Sequence, residues 1–154
     1  ESKKKKETSD KTIPLVKKIL DDKLSISLTH SEIISDSEEH INHVLSKLMT
    51  KSSINSIIFS GGTGLSPTDI TYETIEPRLK KKISGFGELF RSLSYKEIGS
   101  SAMLSRATAG ILTKRSDKKI IFLLPGSPNA VKLALNKLIL PELGHMLYTI
   151  KKKK

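Results

Sequence analysis

Ile54-Asn-Ser-Ile-Ile-Phe-Ser60 runs without interruption into Gly61-Gly-Thr-Gly-Leu-Ser-Pro-Thr-Asp69. Three apolar residues in succession, Ile57, Ile58 and Phe59, suit a short strand buried on both faces. A strand that ends in glycines lets a ligand approach the backbone, because glycine has no Cβ and tolerates positive φ. A second junction of this kind lies downstream. Lys119 to Leu124 reads as a strand and runs into Pro125-Gly-Ser-Pro-Asn129, which turns the chain and starts a helix. In an open parallel α/β sheet, ligands bind beyond the carboxyl ends of the strands, where helix N-termini present unpaired N–H groups. The two junctions together predict a phosphate site.

Outward from them, helices and strands alternate. Thr12 to Asp22 gathers Ile13, Leu15, Val16, Ile19 and Leu20 on one helical face. Leu24 to Leu28 alternates apolar with polar residues, as a half-buried or edge strand does, and Glu32 to Ser35 is also strand-like. Asp36-Ser-Glu-Glu39 is an acidic helix start ahead of Ile41, Val44, Leu45, Leu48 and Met49. Thr68 to Ser105 is helical in pattern with breaks at Pro77, Gly85 and Gly87, and a further helix is expected within Tyr95 to Leu104. Ala107 to Thr113 and Lys119 to Leu124 flank a polar turn and are expected to pair or lie near each other in one sheet. Asn129 to Tyr148 is a helix that Pro141 should kink or split. The order indicates an α/β layered fold.

A length of 154 residues suits one domain. Hydrophobic residues make up 36%, enough for a core and against wholesale disorder, and the 5% aromatic share makes that core aliphatic. Cysteine is absent, which excludes disulfides, thiolate zinc sites and cysteine nucleophiles and suits a reducing cytosol. The longest apolar stretch, Ile120 to Pro125, is far below the roughly 20 residues of a membrane helix, so the expectation is a cytoplasmic protein with no membrane partner. The net charge is +11, but 8 of the 27 basic residues lie in Lys3 to Lys6 and Lys151 to Lys154. The chain therefore divides into a lysine-rich segment 1–7, a domain 8–150 and a lysine tail 151–154. With a mildly basic body and few aromatics for base stacking, a nucleic-acid partner is disfavoured.

Asp69 closes the glycine loop and can hold a divalent cation. Asp36, also between a strand-like segment and a helix, could reach the same Mg²⁺ or phosphate chain; read structurally, it is an N-cap worth about 1 kcal/mol. No Gly-Lys-Ser/Thr follows the loop, so it is not a Walker A motif, and Gly85-Phe-Gly87 lacks the third glycine of a dinucleotide fingerprint. His40 and His43 stand three apart with no third ligand suggested and read as solvated; His30 and His145 stand alone. Ser105 beside Arg106 can hold an anionic group, but no histidine and aspartate follow in a hydrolase order.

Ser60-Gly-Gly-Thr-Gly-Leu-Ser-Pro-Thr-Asp-Ile-Thr71, Ser84-Gly-Phe-Gly-Glu-Leu-Phe-Arg91, Ala102-Met-Leu-Ser-Arg-Ala-Thr-Ala-Gly110 and Leu124-Pro-Gly-Ser-Pro-Asn-Ala130, in this order, closely resemble the MoaB/MogA family of molybdenum cofactor biosynthesis proteins. The resemblance covers about residues 8–150. It implies a three-layer α/β/α molybdopterin-binding fold with a mostly parallel sheet. It also implies a molybdopterin adenylyltransferase reaction, in which the pterin phosphate attacks the α-phosphate of MgATP and pyrophosphate leaves. The alternative is a paralogue that binds molybdopterin without catalysis. By motif, Asp69 and Asp36 become the functional and Mg²⁺-holding carboxylates, although the family's Pro-Asp-Asp or Pro-Asp-Glu is here Ser35-Asp-Ser37. Gly61, Gly62, Thr63 and Gly64, with Ser105 and Arg106, are expected around the pterin or nucleotide phosphates. Pro125, Gly126, Ser127, Pro128 and Asn129 are expected to line the nucleotide region. Relatives that resemble this chain assemble as trimers or hexamers. They open with a hydrophobic strand before Asp-x-Ser-Gly, whereas this chain reaches Glu7-Thr-Ser-Asp10, so the first strand is expected to be missing; an incomplete chain is the favoured reason, over unresolved residues or the loss of a central strand, which alone would leave a gap in the sheet.

Overall fold

In a computed structural model that describes residues 9–153, β1 (Ser56–Ser60), β2 (Lys81–Lys82), β3 (Thr108–Lys114) and β4 (Asp117–Leu124) form one sheet in the order β1-β4-β3-β2. β1 runs parallel to β4, with Ser60 opposite Leu124. β3 is antiparallel to β4 and β2 is antiparallel to β3. The expected parallel character is thus confined to one pair and the sheet is mixed. The reason is local: β3 and β4 are joined through Arg115 and Ser116, with Arg115 at φ 57°, a link fit for a hairpin and far too short for a parallel crossover.

β4 has a neighbour on either side and is buried on both faces, so its alternate residues feed two cores. Ile121 and Leu123 join Ile57 and Phe59 of β1 and the apolar face of α2 (Glu38–Met49), which supplies Ile41, Val44, Leu45 and Leu48. Ile120, Phe122 and Leu124 face Phe86 and Phe90 of α4 (Ser84–Ile98), and Val131, Leu135 and Ile139. The sheet with a core on each face makes three layers. α1 (Thr12–Asp21) lays Val16 and Ile19 on the second core. Lys119, nearly as buried as the core, donates from Nζ to Lys51 O and Ile54 O and ties the α2–β1 connection to β4.

Several elements differ from the sequence expectation. Residues 24–28 and 32–35 form no strand; they run as irregular chain, with Leu24 exposed, since an alternating pattern by itself is only a weak strand preference. Asp36 therefore does not end a strand. Nor does it cap α2: Ser37, in extended conformation, accepts the His40 N–H on its Oγ at 3.2 Å. α4 passes through Gly85 and Gly87 without a break, and Gly87 lets the helix approach β3, since an added Cβ would stand 2.6 Å from Ala107 O. The helix expected within 95–104 is the end of α4 followed by a 3₁₀ turn, Gly99–Leu104. The last helix begins as α5 (Pro128–Ala134), widens into a π turn at Leu135–Ile139 and continues as α6 (Leu140–Lys151). Pro141, lacking an N–H, sits directly after that wide turn, so the helix is deformed rather than broken.

β1 is an edge. Gly61 N–H donates to Leu124 O and Ile120 N–H to Asn55 O, so the backbone groups of Ser56, Ile58 and Ser60 turn to the opposite side. Among the described residues no strand pairs there. A cavity of about 600 Å³ occupies that flank, lined by Ile58, by residues 25–36 and by apolar side chains of α1, α5 and α6. Lys3 to Lys6 and the segment 1–7 lie outside the described residues. Among the described residues no helix is long and apolar enough to cross a membrane.

Candidate functional site

Because β1 and β4 are parallel neighbours, the glycine loop and the 125–129 turn leave the sheet side by side. The Ser60 hydroxyl donates to Pro125 O at 3.3 Å, and a Cβ on Gly126 would stand 3.3 Å from Gly61 Cα. The two glycines permit two backbones to touch. Gly61 (φ 105°) and Gly62 (φ 68°) both occupy conformations that side-chain-bearing residues avoid. Gly62 O accepts the N–H groups of Thr71 (3.0 Å) and Tyr72 (3.3 Å), which folds the loop onto α3 (Thr71–Ile75). At its far end Asp69 accepts the Ser66 N–H at 3.1 Å, and its Oδ2 stands 2.7 Å from where a Gly64 Cβ would lie. On the neighbouring turn Ser127 caps α5 by accepting the Ala130 N–H at 3.2 Å, with Pro128 as the first helical residue.

Arg106 reaches the loop from the chain entering β3. Its Nε donates to Thr63 O at 3.0 Å and its Nη2 to Gly64 O at 2.6 Å. Both terminal nitrogens also grip the Glu73 carboxylate, Nη2 to Oε2 at 3.2 Å and Nη1 to Oε1. The guanidinium lies 4.6 Å over the Tyr72 ring. The hydrogen bond from Arg106 holds the Glu73 carboxyl below its usual 4.5, and the bond to Glu73 raises the guanidinium in turn. On the other side Arg91 Nη1 donates to Ser105 O (3.3 Å) and Ala107 O (3.0 Å), while Ser105 Oγ accepts the Ala107 N–H (3.3 Å). Glu73 and Tyr72 escaped the sequence reading, since nothing local ties them to an arginine more than thirty positions away. Arg91 stood inside a recognised motif, which was the available signal.

Asp36 lines the 600 Å³ cavity together with Ser60, Gly61 and Gly126. Asp69 does not line it; it sits against Gly64 and Ser66, in the field of Arg106. Asp36 thus shares the cavity lining with Gly61, while Asp69 packs against Gly64. His40, expected to be solvated, is instead engaged: its Nδ1 meets the Ser35 N–H (3.1 Å) and Oγ (2.8 Å), which pins the chain just before Asp36. His30 and His145 likewise pair with Glu32 and Glu142. Among the described residues no group of three or more histidine or acidic side chains could hold a metal.

The family described as "Probable molybdopterin binding domain" matches residues 3–145. The chain is 43% identical over 145 residues to molybdenum cofactor biosynthesis protein B of Bacillus cereus, spanning 94% of this chain and 83% of that protein. The chain belongs to the MoaB/MogA family of molybdenum cofactor biosynthesis proteins. Among solved MoaB structures, a molybdenum cofactor biosynthesis protein B superposes with a TM-score of 0.86 at 42% identity, over 96% of this chain and 89% of that one. The tungsten cofactor synthesizing protein MoaB from Pyrococcus furiosus gives 0.84 at 38%, over 94% and 87%. This MoaB/MogA chain therefore shares its overall fold with those solved structures.

Proposed function

We propose that the chain acts in molybdenum or tungsten cofactor synthesis as a molybdopterin adenylyltransferase. An oxygen of the pterin phosphate forms a bond to the α-phosphorus of ATP, the bond to the bridging oxygen breaks, and pyrophosphate leaves. The observation that carries this reading is the contact of Gly61 with Gly126 at the carboxyl ends of two parallel strands, with Asp36 lining the same cavity. Bare backbone in that position accepts phosphates from two directions, and phosphoryl transfer depends mainly on placement and charge stabilisation. Gly61, Gly62, Thr63 and Gly64 are assigned to the reacting phosphates, of the pterin or of ATP. The 125–129 turn is assigned to the nucleotide, and Ser105, next to Arg106 in the chain, to the substrate phosphates.

Mg²⁺ is commonly held by one or two carboxylates together with substrate phosphates and water, so a chain without a three-carboxylate cage among its described residues still fits it. Asp36 and Asp69 are the residues that would hold it. When bound, the cation neutralises phosphate charge. The exposed apolar residues Leu89, Tyr95, Ile98, Met103 and Leu104, on α4 and the turn after it, support assembly as a trimer or hexamer, which sedimentation tests. Phe86 and Phe90 of the same helix are packed in the chain's own core and are not part of that exposed set.

Incubation of the purified protein with molybdopterin, ATP and Mg²⁺, followed by mass spectrometry, should yield the adenylylated pterin and pyrophosphate. Pterin binding by calorimetry with no product would overturn the enzyme assignment and leave a pterin-binding paralogue.

A further inference from the structure

Arg106 touches two successive carbonyls of the glycine loop, and this has a stereochemical consequence on the opposite side of the chain. In a trans peptide the C=O and N–H point in opposite directions. The Thr63 carbonyl belongs to the same peptide as the Gly64 N–H, and the Gly64 carbonyl to the same peptide as the Leu65 N–H. Drawing both oxygens toward one guanidinium therefore turns both N–H groups away from it. Neither finds a backbone or side-chain acceptor among the described residues. Successive N–H groups aimed outward form an anion-binding concavity.

A guanidinium carries five N–H donors in a rigid plane. Here Nε–H serves Thr63 O, the two Nη2 hydrogens serve Gly64 O and Glu73, and one Nη1 hydrogen serves Glu73. Tyr72 covers one face of that plane. Little of Arg106 is left for a ligand.

We propose that Glu73 and Arg106 form a buckle of positioning residues that fixes the 63–65 backbone, so that the Gly64 and Leu65 N–H groups, not the guanidinium, receive a phosphate of the substrate. This rests on the phosphate-site reading above for the identity of the ligand, while the buckle itself is a property of the free protein. Glu73 keeps the plane in register by a two-point contact. A lysine in place of Arg106 keeps the charge but offers one nitrogen where the loop and Glu73 together use three.

The test uses Glu73→Gln, Arg106→Lys and the double variant. ¹⁵N relaxation on the ligand-free protein should give rigid order parameters, near about 0.85, for Gly64 and Leu65 in the wild type, falling below about 0.6 in each variant while β4 amides stay unchanged. Calorimetry with ATP and Mg²⁺ as probe should show about tenfold weaker binding in either single variant. The double variant should be no worse than the weaker single, as expected for residues that act as one unit. The KM for ATP should rise with kcat little changed. A direct Arg106–phosphate contact predicts the opposite sign for Glu73→Gln, because freeing the guanidinium would tighten ATP, and that result overturns the proposal. Unchanged order parameters in the variants overturn it as well. Glu73 is half exposed, so its glutamine variant should fold, with a thermal midpoint within about 4 °C of the wild type. If no adenylylated product forms in any sample but loop order and ATP affinity fall together, the buckle stands and the adenylyltransferase reading fails. If product forms and Glu73→Gln neither loosens the loop nor weakens ATP, the buckle fails alone.

Discussion

Gly62 combines a left-handed backbone with a space already filled: φ is 68°, and an added Cβ would stand 2.1 Å from Thr71 Oγ1. The backbone strain alone costs about 1–2 kcal/mol for a residue with a Cβ, and Thr71, being buried, has little freedom to retreat. Gly62→Ala should therefore lower the unfolding free energy by about 2 kcal/mol or more in a urea titration at unchanged slope. A loss below about 0.5 kcal/mol would mean that the loop relaxes around the new methyl. Asp69 calls for a different experiment. Its carboxylate accepts the Ser66 N–H, a bond that an amide oxygen can also accept, so Asp69→Asn should keep the fold and most of the pterin affinity. Turnover should disappear, because the negative charge offered to the cation is gone; comparable turnover in this variant would remove Asp69 from the mechanism. The glycines and Asp69 were legible as loop chemistry, since their meaning depends on neighbours in the chain. Arg106 was legible only as a cation beside a serine, because the groups that occupy it come from residues 63–64 and 73.

Helices were the most readable elements, for their hydrogen bonds close within four residues and their apolar spacing shows in the sequence. α1 and α2 lie where the spacing places them, and α2 departs only in its cap. Ser37→Ala should cost about 1 kcal/mol by chemical denaturation, the usual value of a lost N-cap oxygen. An effect indistinguishable from zero would return the capping role to a neighbouring residue. Strands were less readable. β1, β3 and β4 form where apolar runs meet partners, yet the alternating 24–28 segment forms none, since pairing is decided by what lies alongside and not by the pattern itself. Gly85 and Gly87 read as breakers and are helical, because packing of Phe86 and Phe90 against Phe122 outweighs a local cost of about 1 kcal/mol per glycine.

Over the whole molecule, the Glu73–Arg106 pair joins the loop after β1, the helix that follows it and the chain entering β3. It should leave a signature in acid stability. The Glu73 carboxyl is held below 4.5 in the folded protein, so its contribution is fully present above that value and is lost as the pH falls through the lowered one. Thermal unfolding of the wild type and Glu73→Gln should thus differ by a constant small amount from neutral pH down to about 4.5 and converge in stronger acid. A gap that widens on acidification would contradict the pairing. The carboxylate's exposure of 54% keeps the difference small through solvent screening. The amino-acid order by itself determined the layered α/β class, the helix faces and the glycine turns at two strand ends, all of which depend on spacing and local turn chemistry; for β3 and β4 it left pairing and mere proximity both open. Only the tertiary structure decided that the sheet is mixed, that β1 is an edge beside a cavity among the described residues, that Asp36 lines that cavity while Asp69 packs against Gly64, and that Arg106 is turned onto backbone carbonyls. Each of these is a contact between groups distant in the chain, and which distant groups meet is settled by how two cores close over one sheet.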